Sequence, residues 1–116
     1  MSDVITLTQA NFDDEVLRAE TPVLVDYSAT WCGPCRQLAP VIAQIAAERA
    51  GVLKVGEVDV DQQPELRERA GVQGVPSVIL YDRGEVVARA LGAQPKSELE
   101  RALGLDQSAP LAKQAA

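Results

Sequence analysis

Two cysteines, Cys32 and Cys35, are the residues of this chain best suited to chemistry, and they lie within the stretch DYSATWCGPCRQLAP. A close cysteine pair can form a structural disulfide, contribute to a metal site or act as a redox couple. A zinc site needs about four cysteine or histidine ligands, and the chain has 2 cysteines and 0 histidines. We therefore predict no metal and no bound cofactor, and only a cluster shared between subunits remains as a metal alternative. A structural disulfide would enclose only Gly33 and Pro34 and would stabilise the fold little.

The redox interpretation uses each neighbour of the pair. At the first turn of a helix, Cys32 would meet free backbone N–H groups and the positive end of the helix dipole, which favour a thiolate. Cys35, one turn later, begins the apolar stripe of that helix, so we expect it to be less accessible and to resolve a mixed disulfide formed on Cys32. Gly33 permits a close backbone approach, and Pro34 suits an early helical position.

Composition bounds the class of protein. With 116 residues, 47% of them hydrophobic, the chain fits one compact domain, which we place at residues 1–104 with a C-terminal extension at 105–116. The net charge of -6, without a lysine or arginine run, argues against nucleic acid. The start MSDVITLTQA lacks the features of a signal peptide, and no apolar stretch approaches membrane-spanning length. We expect a cytoplasmic monomer with no membrane association.

The elements that must position the cysteines follow from the periodicity. PVLVDY is a nearly continuous apolar run, typical of a central strand buried on both faces. After the cysteines comes an apolar helical stripe, then the strand pattern VLKVGEVDVD, and later the predicted hairpin VPSVILYDRGEVVARAL. We expect Thr8 to cap an early helix from about Asn11, Asp61 to cap a short helix that contains Pro64, and Pro95 to open the last helix.

This order predicts an α/β fold: a central mixed β-sheet of about five strands, flanked on both sides by about four helices. The loop SATWCGP leaves the carboxyl end of the predicted central strand, where open α/β sheets bind ligands. The cysteines therefore stand where such folds carry sites.

Three other residues near the pair can each be interpreted in two ways. Asp26 is either a buried carboxyl with a raised pKa that takes the Cys35 proton, or a solvated residue at a strand end. The loop position of Trp31, directly before Cys32, favours an exposed platform for substrate over a position in the core. Arg36 fits a solvated surface residue better than a partner for the Cys32 thiolate.

The chain resembles the thioredoxin family over nearly its whole length, through WCGPC, GVPS, RGE and LGA at fitting distances. The resemblance implies a thioredoxin-like fold and a thiol-disulfide oxidoreductase that reduces disulfides of client proteins. It also implies recycling by thioredoxin reductase with NADPH. A dedicated reductant, an oxidase or an isomerase would use the same chemistry, and a non-catalytic binding module would use the same groove without electron transfer.

The resemblance also implies roles for single residues. Asp26 would be the family's buried acid, and Asp61 would hold the Trp31 indole. Pro76 would be cis and face the cysteines, with Val75 offering backbone hydrogen bonds to an extended substrate. The apolar substrate groove would be completed by Gly74, Gly92 and Ala93.

Two residues depart from the pattern of many bacterial members. Glu57 stands where these have lysine, and Ser28 where they have tryptophan. If Glu57 lies close to Asp26, its like charge would raise the Asp26 pKa further.

Overall fold

The computed structural model describes residues 3–106 of the chain. Its strands are β1 Val4–Thr6, β2 Val23–Ser28, β3 Lys54–Asp59, β4 Ser77–Asp82 and β5 Glu85–Leu91. Its α-helices are α1 Gly33–Glu48, α2 Pro64–Ala70 and α3 Lys96–Ala102, and a short π-helical turn covers Asp13–Leu17.

The five strands form one mixed sheet in the order β1-β3-β2-β4-β5. β2 lies at its centre, parallel to β3 and antiparallel to β4, and β4 continues antiparallel into β5. The predicted α/β fold with a five-stranded mixed sheet is therefore confirmed, as is the antiparallel hairpin. Of the four predicted helices, the first along the chain is only the π-helical turn Asp13–Leu17.

Each face of the sheet carries its own apolar cluster, because alternate residues of a strand point to opposite faces. On one face Leu24 of β2 packs in a cluster with Leu38 and Ile42 of α1. On the other face Val25 and Tyr27 belong to the cluster that also contains both cysteines. Residues 23–27 are all buried, as the continuous apolar run PVLVDY indicated. Since Asp26 alternates with Val25 and Tyr27, it shares the face of Leu24 and α1.

Edge strand β5 is the least covered part of the sheet. It pairs with β4 along one side and pairs with no strand on its other side within residues 3–106. Val86 and Val87 are 43% and 50% exposed. The two valines therefore contribute little to either apolar cluster.

Both predicted helix caps are wrong. The π-helical turn has Phe12 at its N-cap with no side-chain hydrogen bond. Instead of capping, Thr8 donates its backbone N–H to Oδ1 of Asn11 over 2.7 Å. Helix α2 likewise begins after Gln63 with no side-chain cap, because the Asp61 carboxylate is bound elsewhere. A capping residue type alone does not show which donor its oxygen will meet.

Helix α1, the longest of the described helices at 16 residues, falls short of the length needed to cross a bilayer. None of the other helices within residues 3–106 is both long and apolar enough to do so.

Candidate active site

Cys32 and Cys35 form a disulfide at the point where the loop from the carboxyl end of β2 enters α1. Their Cα atoms are 5.2 Å apart, within the usual range for a disulfide. The buried strand and the helix together fix the position of both sulfurs. Such a pair can accept two electrons to become a dithiol and return them to another disulfide.

Cys32 is the N-cap residue of α1. Its backbone is extended, and its Sγ accepts the N–H of Cys35 over 3.2 Å. This N–H is one of the helix-terminal donors that have no partner within the helix. The same sulfur lies 3.8 Å from the carbonyl oxygen of Val75. The helix terminus is thus arranged to stabilise negative charge on the Cys32 sulfur once the disulfide is reduced.

The predicted difference in exposure between the two cysteines is absent from this oxidised form. Cys32 is 5% exposed and Cys35 is 3% exposed. Joining the sulfurs and packing them in one apolar cluster buries both residues. What distinguishes Cys32 is its position at the helix terminus beside the loop of Val75, whereas Cys35 lies inside the first turn of α1.

Trp31 precedes the disulfide and is 66% exposed. Its Nε1–H donates to Oδ2 of Asp61 over 2.6 Å, the contact that the family resemblance implied. A large aromatic side chain held open to solvent by one hydrogen bond presents a rigid apolar surface at the edge of the redox pair.

The loop before β4 lies on the other side of the disulfide. The Val75–Pro76 peptide bond is cis, as the resemblance implied, and Pro76 is buried. The Pro76 carbonyl accepts the N–H of Gly92 over 2.8 Å. Gly92 has φ +90, a conformation that favours glycine, and the next residue, Ala93, is exposed. These contacts join the loop to the end of β5.

The remaining predicted site residues, Gly33, Pro34 and Gly74, are exposed. Gly33 and Pro34 form the exposed start of α1. Gly74 is exposed, and its carbonyl accepts the hydroxyl of Ser77 over 2.6 Å.

Asp26 is buried in β2, with 1% of the residue exposed. Its Oδ1 has no hydrogen-bond partner among the described residues. Burial, and in second place the negative charge of Glu57, raise the pKa of Asp26 from 3.8 to about 7. The carboxyl is therefore poised to exchange a proton near neutral pH.

Glu57 is the register partner of Asp26 across the parallel β2–β3 pair, which confirms that the two carboxyls lie close together. A crevice of about 170 Å³, named the β2–β3 crevice, opens beside Glu57. It is lined by Ser28, Ala29, Thr30, Cys35, Arg36, Ala39, Glu57 and Asp59. Desolvation, followed by the charge of Asp59, raises the pKa of Glu57. Cys35 and Glu57 therefore line the same crevice.

Two other residues complete the description of the site. Arg36 is exposed, and its Nη1 donates to the carbonyl of Thr30 over 2.9 Å, in agreement with the surface interpretation. Leu91 is 69% exposed and its Cδ1 lies 3.7 Å from where a Cβ on Gly74 would be. The sequence analysis did not single out Leu91, although this apolar residue is the leucine of the LGA motif.

Within residues 3–106 no group of three or more cysteine, aspartate or glutamate side chains could hold a metal ion.

Comparison with known proteins gives a consistent result. The thioredoxin family model matches residues 3–104. The chain is 42% identical over 96 residues to the thioredoxin of Pseudomonas aeruginosa, covering 83% of this chain and 89% of that protein. It is 46% identical over 102 residues to the thioredoxin of Mycobacterium bovis, covering 88% of each chain. Thioredoxin 1 of a Nostoc species is 39% identical over 103 residues, covering 89% of this chain and 96% of that protein.

Proposed function

The chain belongs to the thioredoxin family and is a disulfide oxidoreductase that reduces protein disulfides; from that premise we propose distinct roles for its two sulfurs. Cys32 attacks a sulfur of the client disulfide and forms a mixed disulfide. Cys35 then attacks the Cys32 sulfur, so that the client leaves as a dithiol and the Cys32–Cys35 disulfide remains. The observation that carries this assignment is the N–H of Cys35 donated to Sγ of Cys32 at the start of α1, because such a donor stabilises a thiolate on Cys32.

Asp26 serves as the proton acceptor of the second step. Cys35 must lose its proton as it attacks, and a carboxyl with a pKa near 7 can accept it in neutral solution and release it before the next cycle. The site predicted from sequence thus keeps Asp26 as its third member, beside Cys32 and Cys35.

Client proteins bind as extended segments across the surface around the disulfide. The backbone of Val75 next to cis Pro76 offers hydrogen bonds to such a segment, as in strand addition to a sheet edge. Exposed Trp31 supplies apolar area on one side. The groove on the other side is formed by Gly33, Pro34, Gly74, Gly92 and Ala93.

Recycling completes the proposed cycle. Electrons reach the oxidised pair from NADPH through thioredoxin reductase, the partner that family membership implies, so the chain itself carries no bound cofactor. We also propose that it acts as a monomer in the cytoplasm, and that residues 1–104 form the catalytic domain. The extension proposed for residues 105–116 lies almost wholly outside the described residues.

The test traps the mixed disulfide. The variants Cys35→Ser and Cys32→Ser are mixed with a disulfide-linked peptide and analysed by non-reducing mass spectrometry. Cys35→Ser should accumulate a stable adduct through Cys32, whereas Cys32→Ser should accumulate little. Adducts of equal yield on both sulfurs would reject the assignment of roles. With the unaltered chain, NADPH oxidation in the presence of thioredoxin reductase and the peptide tests the recycling step.

A further inference from the structure

The proposed cycle requires the Asp26 proton to reach water, yet the residue has almost no surface of its own. Asp26 is 1% exposed, and its Oδ1 is buried with no hydrogen-bond partner among the described residues. A carboxyl that accepts a proton in each turnover must release it to solvent before it can accept the next. A neighbouring polar group with more solvent contact would give this proton a wider route to water.

Glu57 is the acidic residue placed to make that connection. It is the register partner of Asp26 on the adjacent parallel strand, and strands in a sheet lie about 4.8 Å apart. Side chains at paired positions point to the same face of the sheet. Unlike Asp26, Glu57 is exposed, and it lines the β2–β3 crevice together with Cys35. It thus contacts solvent at one end and neighbours the buried carboxyl at the other.

The other polar groups around the crevice are less suited to this task. Asp59 pairs with Ser28 rather than with Asp26, and its Oδ1 accepts the backbone N–H of Asp61 over 2.9 Å. The Arg36 guanidinium of α1 carries only donors, and its Nη1 donates to the carbonyl of Thr30. On the far side of β3, β1 places the uncharged Thr6 opposite Glu57.

We propose that Glu57 is the proton relay of Asp26, passing the proton that leaves Cys35 from the buried carboxyl to water in the β2–β3 crevice. The inference rests on the proposed function. In balanced form, the Cys35 sulfur bonds to the Cys32 sulfur, the client sulfur departs with the bonding electron pair, and the Cys35 proton moves to the Asp26 carboxylate. The Asp26 carboxyl then gives a proton to the Glu57 carboxylate, which gives one to water. No further oxidant or reductant is needed.

The electrostatics of the two carboxyls fit a relay. Both have raised pKa values, Asp26 through burial and then Glu57, and Glu57 through desolvation and then Asp59. Raised values bring both groups toward neutral pH, where proton transfer in either direction has a small driving force. In this arrangement Glu57 acts through Asp26 and has no direct contact with the client.

The experiment isolates the resolving step. The reduced protein is mixed in stopped flow with rising concentrations of a disulfide-linked peptide, and the fluorescence of Trp31, the single tryptophan of the chain, is followed from pH 6 to 9. At saturating peptide the encounter is no longer limiting. The variant Cys35→Ser, which stops at the mixed disulfide, gives the rate of the first attack, and a plateau below that rate reports the attack by Cys35. Glu57→Gln keeps the shape of the side chain but cannot carry a proton. The matched control is Glu85→Gln, the same substitution at an exposed acid of edge strand β5, outside the crevice.

We expect Glu57→Gln to lower the plateau rate by about 10-fold or more, since positioned acid–base groups contribute at least this much. Added formate, small enough to enter the crevice, should restore much of the rate in Glu57→Gln and leave the unaltered protein unchanged. Glu57→Asp should keep part of the rate, and Glu85→Gln should stay within about twofold of the unaltered protein, as its carboxyl lies outside the crevice.

Several results would overturn the relay. If Glu57→Gln only moves the midpoint of the pH profile and keeps its plateau, Glu57 acts through its charge alone. A slow plateau that formate does not restore would point to a structural effect, and an equal loss in Glu85→Gln would point to an effect of net charge. If the unaltered protein forms no Cys32–Cys35 disulfide from the peptide, the proposed function itself fails, and this outcome is distinct from all the others.

Discussion

Replacing Asp26 by asparagine should stabilise the oxidised protein, and the gain should grow with pH. The asparagine amide has nearly the shape of the carboxyl but cannot ionise. In the folded protein the pKa of Asp26 is raised from 3.8 to about 7, so between these values the native state binds more protons than the unfolded state. The free energy of unfolding of the unaltered protein therefore falls as the pH rises through this window and is flat above it.

The size of the effect follows from the two pKa values. Each difference of one in pKa is worth about 1.4 kcal/mol. Linkage between pH and folding then gives Asp26→Asn an advantage of about 1.5 kcal/mol at pH 5 and about 4 kcal/mol at pH 8. Because Asp26 is 1% exposed, solvent screening reduces these figures little, although they remain upper values.

Denaturant unfolding of the oxidised proteins at pH 5 and pH 8 measures both quantities. The control is Glu85→Gln, an exposed acid in β5, which should leave the free energy of unfolding nearly unchanged at both pH values. An equal gain for Asp26→Asn at pH 5 and pH 8 would refute the linkage argument. A loss at pH 8 would show that the buried ionised carboxyl has a stabilising partner.

Two further predictions concern the fold. Gly84→Ala should lower the Tm more than Gly51→Ala does. Both glycines have positive φ, but only at Gly84 would a Cβ lie 2.9 Å from the carbonyl oxygen of Leu17. Thermal unfolding compares the two variants, and equal Tm values would show that this backbone clash has no effect. Tyr27→Phe should cost about 1–2 kcal/mol by leaving a buried hydroxyl unpaired, since the Tyr27 and Tyr81 hydroxyls lie 2.6 Å apart. Replacing both tyrosines by phenylalanine should cost less than the sum of the single changes, and strict additivity would contradict this.

The sequence predicted those parts of the fold that depend on local pattern. The apolar run 22–27 indicated the buried central strand, and helical periodicity with a proline start indicated α1. The cysteine spacing led to the redox site directly. The cis bond at Pro76 followed from the resemblance alone, because an X–Pro bond is trans in most folded proteins.

Features that depend on distant partners were not predictable in the same way. Asp61 has a good capping side chain, yet it holds the Trp31 indole, a contact between residues 30 positions apart that the family resemblance implied and the local pattern did not. The hydrogen bond between the hydroxyls of Tyr27 and Tyr81 was missed for the same reason. Glu57 lies opposite Asp26 because of the β2–β3 register, which neither strand's own pattern reveals. For this reason the sequence analysis could treat the proximity of Glu57 and Asp26 only as an assumption.

The outer side of β5 makes the protein's tendency to self-associate depend on its net charge. No strand within residues 3–106 pairs with the outer side of β5, so its backbone groups, flanked by valines, can pair with an equivalent strand of another molecule. Mutual repulsion between molecules with a net charge of -6 opposes such an encounter. That repulsion vanishes near the isoelectric point of about 4.5. Acidification of concentrated solutions should then promote intermolecular strand pairing, and a lysine in place of Val87 would hinder it.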